Sequence, residues 1–172
     1  PPSMTFGERD AAHNGSARTR ALEALCAGAS GFDAVRSDSF MQAAWNKFTF
    51  LAALAAATCL MRASIGRIVD TDGGSAFLSA LHDECLAAAA AAGHAIPAEA
   101  AQQARALLTK AGSTVTASML RDLESGQDVE ALQIIGDLRA RAHAAGRAVP
   151  HLDAAWVHLQ AYRSRRATPQ TP

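Results

Sequence analysis

The sequence predicts a mainly α-helical protein with a short strand–helix–strand segment at its amino end, and three observations carry that prediction. From Ser37 to Ala63 the chain contains neither proline nor glycine, a run long enough for about seven helical turns. Further on, the apolar segments carry the punctuation of helices. Gly93, Gly112, Gly126 and Gly146 stand where carboxyl ends turn left-handed, and Pro97 and Pro150 where first turns begin. Strand-like alternation occurs only ahead of Ser37.

In chain order, Met4-Thr5-Phe6-Gly7-Glu8 reads as a short strand and His13-Asn14-Gly15-Ser16 as a turn. Ser16 is placed to cap a helix reaching Ala29, with Leu22, Leu25 and Cys26 on its inner face. Phe32 to Val35 reads as a second strand. Two short strands and a helix do not make a sheet that stands alone. Residues 1–36 are therefore expected to be the last piece of a larger sheet domain whose other strands are absent. Residues 37–166 are expected to form an all-α domain, and 167–172 a disordered Pro/Thr tail.

Ser37 and Asp38 suit the N-cap and first turn of the long helix. Trp45, Phe48, Ala52 and Ala55 recur at three- and four-residue steps and predict its buried stripe, with most other positions apolar too. Ser64-Ile65-Gly66-Arg67 breaks this helix, and Asp70 to Gly74 is a turn. A helix from Ser75 to Ala92 follows, with Phe77, Leu78, Leu81, Cys85 and Leu86 inward and Asp83 and Glu84 facing a partner or water. Pro97 opens the next helix, which ends near Gly112, and Thr114 or Thr116 begins a short one through Leu123. Asp128 opens a helix through Ala145. Val149-Pro150 starts the last, with Leu152, Trp156 and Leu159 inward.

Composition narrows the function classes. Formal net charge is zero, and the one basic run is Arg163 to Arg166 at the tail, so no nucleic-acid partner is expected. Leu51 to Met61 is too short and too rich in alanine to predict a membrane span, and the opening Pro-Pro-Ser-Met-Thr-Phe-Gly-Glu does not read as a signal peptide. Cys26, Cys59 and Cys85 are odd in number and lie in or beside helical segments, which predicts reduced thiols and a cytoplasmic setting. The six histidines are scattered, and no metal site is predicted.

Of the 16 basic residues, 14 are arginine and two are lysine, Lys47 and Lys110. Lysine is a compact donor whose pKa responds to its surroundings, and Lys47 sits inside the long apolar helix with no acid near in sequence except Asp38. Either its stem snorkels out of a packed helix or its ammonium is used. Ser118 stands at the start of a short helix, where backbone N–H groups are free to hold an anion; it reads equally as a cap. Glu130 is a carboxylate in the first turn of the following helix, and reads equally as an acid placed there for the helix dipole.

Several of these residues belong to separated motifs. Trp45-Asn46-Lys47-Phe48, Ser118-Met119 with Asp122 and Gly126, Glu130 with Ile134 and Gly136, and Gly146 with Pro150 resemble the carboxy-terminal domain of the ketopantoate reductase family. That helical bundle is similar to those of 6-phosphogluconate dehydrogenase-like proteins. The family writes Trp-x-Lys at the head of its first long helix and Ser-Met-x-x-Asp before a glycine turn, with a glutamate twelve residues after that serine. Ser118 and Glu130 keep the spacing. Phe6-Gly7-Glu8, Arg18, Arg20 and Phe32 resemble the end of the family's amino-terminal dinucleotide-binding domain.

The resemblance implies an NADPH-dependent reductase that converts a 2-keto acid, ketopantoate, into its 2-hydroxy acid in pantothenate biosynthesis. It makes Lys47 the general acid at the keto oxygen. Glu130 would bond the substrate hydroxyl or the cofactor ribose and position the ammonium, and Ser118 would hold the substrate carboxylate. Where well-known members carry three asparagines, this sequence has Leu51, Ala55 and Ile65, so the substrate is either a more apolar 2-keto acid or one the sequence leaves unassigned. No Gly-x-Gly-x-x-Gly follows a strand, so most of the NADPH site is expected on absent residues and the chain alone to be inactive. A homodimer is compatible with this reading. The alternative is a non-enzymatic helical interaction or dimerisation module lacking the cofactor domain.

Overall fold

A computed structural model describes residues 2–167 of the chain, and residues 168–172 of the expected tail lie outside them. The chain divides into two compact units, one ending at Lys47 and the other beginning at Phe48.

The first unit contains β1 (Ser3–Phe6), a 3₁₀ turn (Ala11–His13), α1 (Ala17–Cys26), β2 (Asp33–Arg36) and the head of α2 (Phe40–Met61). The strands pair in parallel from Ser3 against Asp33 to Phe6 against Arg36, with α1 as the crossover that parallel pairing requires. Ser16 caps α1, its Oγ accepting from the Thr19 N–H at 3.3 Å. Gly7 follows β1 because a Cβ there would overlap the Ser37 carbonyl oxygen and Phe40.

Glu8 is the unit's buried anion. Its carboxylate accepts from Arg18 Nε at 2.7 Å, again from Arg18 Nη2, and from Ser16 Oγ. The Arg18 hydrogen bond first, and that of Ser16 second, hold its pKa down to about 2. Here α1 departs from expectation. It ends at Cys26, not Ala29, and Leu25 is 79% exposed and Leu22 37%. The cap sets the helix register with Thr19 inward, which leaves Leu25 on the outer side.

The second unit contains the rest of α2, α3 (Ile65–Val69), α4 (Gly74–Ala91), α5 (Ala98–Leu108), α6 (Ser118–Glu124), a π-helical turn (Leu132–Gly136) leading into α7 (Asp137–Ala144), and α8 (Pro150–Ala167). No strand occurs from Ser37 onward among the described residues. The core is built on α2, whose residues 52–59 are all buried. Five of those eight are alanines, so neighbouring helices can come close to its backbone. Leu78, Leu81 and Cys85 of α4 are buried, as are Ile135, Leu138, Leu152 and Leu159, where α4 packs on α7 and α8. By length and apolarity α2 could cross a membrane, yet half of its most apolar window is buried inside the protein.

Several boundaries differ from the sequence reading. Helix α2 starts at Phe40 because the Ser39 carbonyl accepts the first helical bond, from Ala43; Ser37 Oγ instead accepts from the Ser39 N–H at 3.2 Å in a serine turn. Trp45 and Phe48 are half-buried, as are Phe77, Leu86 and Trp156, and the alanine positions carry the buried stripe. The expected break after Ala63 holds a further short helix, α3. Its first N–H groups, of Ile65 and Gly66, donate to the carbonyls of Val115 and Ser113 at 3.0 and 2.8 Å, a tertiary partnership invisible locally. Ala117, and not Thr114 or Thr116, holds the N-cap position of α6, since its N–H is taken by Thr58 Oγ1. Helix α8 includes Ala167, the first residue of the expected tail.

Glu84 faces a partner. Its carboxylate, 10% exposed, accepts from the N–H groups of His151 and Leu152 at 3.1 and 2.9 Å and bonds His151 Nδ1 at 2.5 Å. One side chain of α4 thus satisfies the open first turn of α8.

Candidate functional site

Lys47 lies in the head of α2, which is continuous from Phe40 to Met61, and its side chain is exposed. An ammonium held among apolar neighbours would cost free energy, and the exposure of Lys47 avoids that cost. Covering on nearly all sides begins only at Ala52. Close by on the helix, Gln42 Nε2 donates to Asn46 Oδ1 at 2.9 Å, so that pair of amides spends part of its hydrogen-bonding capacity internally. Of the three apolar substitutions, Ala55 and Ile65 are buried at 3% and 0% exposure, whereas Leu51 is 38% exposed. Leu51 stands four residues after Lys47, one turn along the same side of a helix.

Ser118 is the first residue of α6 and is exposed. What precedes it is rigidly held. The Thr58 hydroxyl, buried in α2, donates to the Leu54 carbonyl at 2.8 Å and accepts the Ala117 N–H at 3.3 Å. The start of α3 fastens Ser113 and Val115. Gly66 permits that approach, since a Cβ would run into the Ser113 backbone. At the other end of α6, Gly126 adopts φ 73°, and Gln127 N–H reaches back to the Asp122 carbonyl at 2.8 Å, a left-handed helix stop that suits glycine.

Glu130 is exposed and stands just ahead of the next helix; its carbonyl accepts the Ile134 N–H at 3.1 Å. Asp128 does not open that helix as expected: the helical run starts at Ala131, and the Asp128 carboxylate pairs with Arg166. Tyr162 O–H donates to the Gln127 carbonyl at 2.6 Å, and the Arg166 guanidinium lies 5.9 Å from the centre of the Tyr162 ring. The end of α8 thus sets the path of residues 127–130. Past Glu130 the chain makes the π turn, an uncommon form that often accompanies functional sites. Gly136 ends it, where a Cβ would stand 3.0 Å from the Trp156 ring.

Ser118 and Glu130 belong to the same unit, each exposed, with no hydrogen bond joining them. Lys47 belongs to the other unit. The supporting residues, Thr58, Tyr162 and Arg166, had no local signal in the sequence: each acts on a segment far along the chain. No cluster of three or more His, Cys, Asp or Glu able to hold a metal occurs among the described residues.

The connection between β1 and α1 does not fit the pyrophosphate of a dinucleotide. Such a site needs glycines and open N–H groups between a strand and the helix after it. Between β1 and α1 stands instead the buried carboxylate of Glu8, occupied by Arg18 and Ser16, which would repel a pyrophosphate. The Cβ position of Gly7 is filled by the chain itself.

Comparison with known proteins places this architecture. The family described as Ketopantoate reductase PanE/ApbA C terminal matches residues 39–163. An uncharacterized oxidoreductase of Bacillus subtilis, YkpB, is 29% identical over 151 residues, which cover 87% of this chain and 49% of that protein. The chain thus spans about half the length of the curated relative it matches. The crystal structure of 2-dehydropantoate 2-reductase from Methylococcus capsulatus is similar at 25% identity, with a TM-score of 0.79 over 98% of this chain and 57% of the other. A ketopantoate reductase from Staphylococcus aureus, described as dimeric, shares the fold at 19% identity with a TM-score of 0.81, over 96% of this chain and 55% of the other. With its helical unit matched across α2 to α8, the chain belongs to the ketopantoate reductase PanE/ApbA family through that family's carboxy-terminal domain.

Proposed function

We propose that this chain is the helical, substrate-side part of an NADPH-dependent 2-keto acid reductase resembling 2-dehydropantoate 2-reductase, with Lys47 as its general acid. The observation that carries the reading is an exposed lysine, the one charged residue of the mainly apolar helix α2, within the segment the family match covers. Residues 1–36 would be the terminal portion of a dinucleotide-binding domain and 37–166 the catalytic helical domain. The nucleotide would then be held mainly outside the described residues.

A bound nicotinamide would supply a hydride to the keto carbon. What falls to this chain is the oxygen. As the carbonyl π pair moves onto it, the Lys47 ammonium donates a proton there, and the resulting amine is reprotonated from water. Ser118, a hydroxyl on a rigidly held segment, would donate to the substrate carboxylate. Glu130, ahead of the π turn, would accept from the substrate or ribose hydroxyl. The three free cysteines, two of them buried, support a cytoplasmic setting. A homodimer is the proposed assembly, in keeping with the dimeric Staphylococcus aureus relative.

The test is Lys47→Ala in the full-length protein, assayed with NADPH and ketopantoate or a close 2-keto acid. A loss in kcat on the order of 10²–10⁴-fold is expected for removal of a general acid. Retention of most of the turnover sinks the reading. In parallel, titration of the 172-residue chain with NADPH should give no thermal shift; a saturable shift would show that these residues hold the nucleotide after all.

A further inference from the structure

The end of α2, the short helix α3 and the turn from Asp70 to Gly74 enclose a cavity of about 300 Å3. It lies wholly within the second unit, and neither Lys47, Ser118 nor Glu130 lines it. Met61, Ile68 and Phe77 supply its apolar wall, and Arg67 and Asp72 are its two charged residues, both exposed. The wall is fixed in place. Gly74 packs so closely on α3 that a Cβ there would overlap the Ile68 carbonyl oxygen. The same carbonyl accepts from Thr71 Oγ1 at 2.7 Å, and the Phe77 ring meets the His151 ring edge-on, with centroids 5.5 Å apart. Elsewhere in this unit Arg105, Arg139, Arg141 and Arg166 are each paired with an aspartate. Arg67 and Asp72 line one cavity with opposite charges, yet neither has a hydrogen-bond or ion-pair partner among the described residues, the other included.

We propose that this cavity binds a free apolar α-amino acid, a second ligand site that does not depend on the reductase reading. Such a molecule carries a carboxylate, an ammonium and an apolar side chain on one carbon, and the cavity offers a counterpart to each. The Arg67 guanidinium presents its fork of N–H donors to the carboxylate. The Asp72 carboxylate accepts from the ammonium. Met61, Ile68 and Phe77 take the side chain out of water. A plain carboxylic acid would leave Asp72 without a cation, and a plain amine would leave Arg67 without an anion. The volume, at the lower end of the roughly 300–1,000 Å3 of small-molecule sites, suits a ligand of this size.

The test titrates the full-length protein with L-leucine and follows the methyl resonances of Met61 and Ile68, which report on this cavity alone. Both are expected to move saturably. 4-Methylpentanoate lacks the ammonium and 3-methylbutylamine lacks the carboxylate; each is expected to bind at least about tenfold more weakly, having lost one charge-assisted contact. Arg67→Gln and Asp72→Asn alter exposed side chains. Both variants should keep the wild-type Tm while weakening L-leucine by about tenfold or more. Resonances that stay still up to the solubility limit of L-leucine overturn the proposal. So does an affinity unchanged in either variant, or one equal for L-leucine and its two singly charged analogues. The readout is binding and not turnover, so the result stands apart from what Lys47→Ala does to the reduction.

Discussion

The two units of this protein are held together by opposite means. In the first, the buried group is a carboxylate, Glu8, wrapped by a guanidinium and a hydroxyl, while Leu22, Leu25, Met4 and Val35 are exposed. In the second, the buried groups are mainly alanines and leucines on α2, α4, α7 and α8, with the Glu84 carboxylate closing the start of α8. The contrast teaches where each unit is vulnerable. Charge-assisted hydrogen bonds answer to pH and salt; close packing answers to volume.

The largest expected effect attacks the packed unit. Leu152→Ala removes a side chain with 0% exposure and should cost about 2–5 kcal/mol of unfolding free energy, read by chemical denaturation. A cost below about 1 kcal/mol would mean the helices collapse onto the space and that volume is not what holds them.

Next comes the carboxylate that works inside that unit. Glu84→Ala strips the α8 N–H groups of His151 and Leu152 of their acceptor and should cost roughly 1–3 kcal/mol, with amide exchange fastest at those two residues. Glu84→Gln, which keeps an acceptor oxygen, should recover part of the loss. Equal costs for both variants would assign the effect to charge and not to the cap.

The first unit should respond to acid. The pKa of Glu8 is about 2 in the folded chain against an ordinary 4.5. The stability it contributes is therefore complete above about 4.5 and disappears as pH falls through about 2. Amide exchange in β1, α1 and β2 should accelerate across that window, and Glu8→Gln should remove the pH dependence there. A dependence that survives Glu8→Gln would shift the role to another carboxylate.

The smallest effect concerns a strained junction. Arg62, just past the end of α2, has φ 52°, a conformation that favours glycine. Arg62→Gly should stabilise by about 0.5–1 kcal/mol, seen as a rise in Tm. A fall would reveal a contact of the guanidinium that outweighs the strain.

Much of this architecture is legible in the sequence. Ser16 as a cap, Gly93, Gly126 and Gly146 as helix stops, Pro150 as a helix start, and the two short strands all stand where their residue types imply. The motif spacing that linked Ser118 and Glu130 pointed to the family the chain belongs to. Less legible were the start of α2, the helix α3 and the beginning of the helix after Glu130. Asp128 is a sound local cap, but Arg166, far along the chain, holds its carboxylate. Ile65-Gly66 looks like a break until Ser113 and Val115 accept its N–H groups.

The residues by themselves determined the helical class, the order of the elements and the ends marked by glycine and proline, because backbone φ preference is a property of one residue and its nearest neighbours. Which side of each helix turns inward was settled by packing. Leu25 is exposed although a leucine at that spacing reads as core, and Ala55 and Ile65 are buried while Leu51 is not. Burial depends on what other segments cover, and the carboxylates of Glu84 and Asp128 go to the N–H groups of α8 and to Arg166 that the assembled helices bring to them. Those partners are distant in the chain and exist only once the helices have packed.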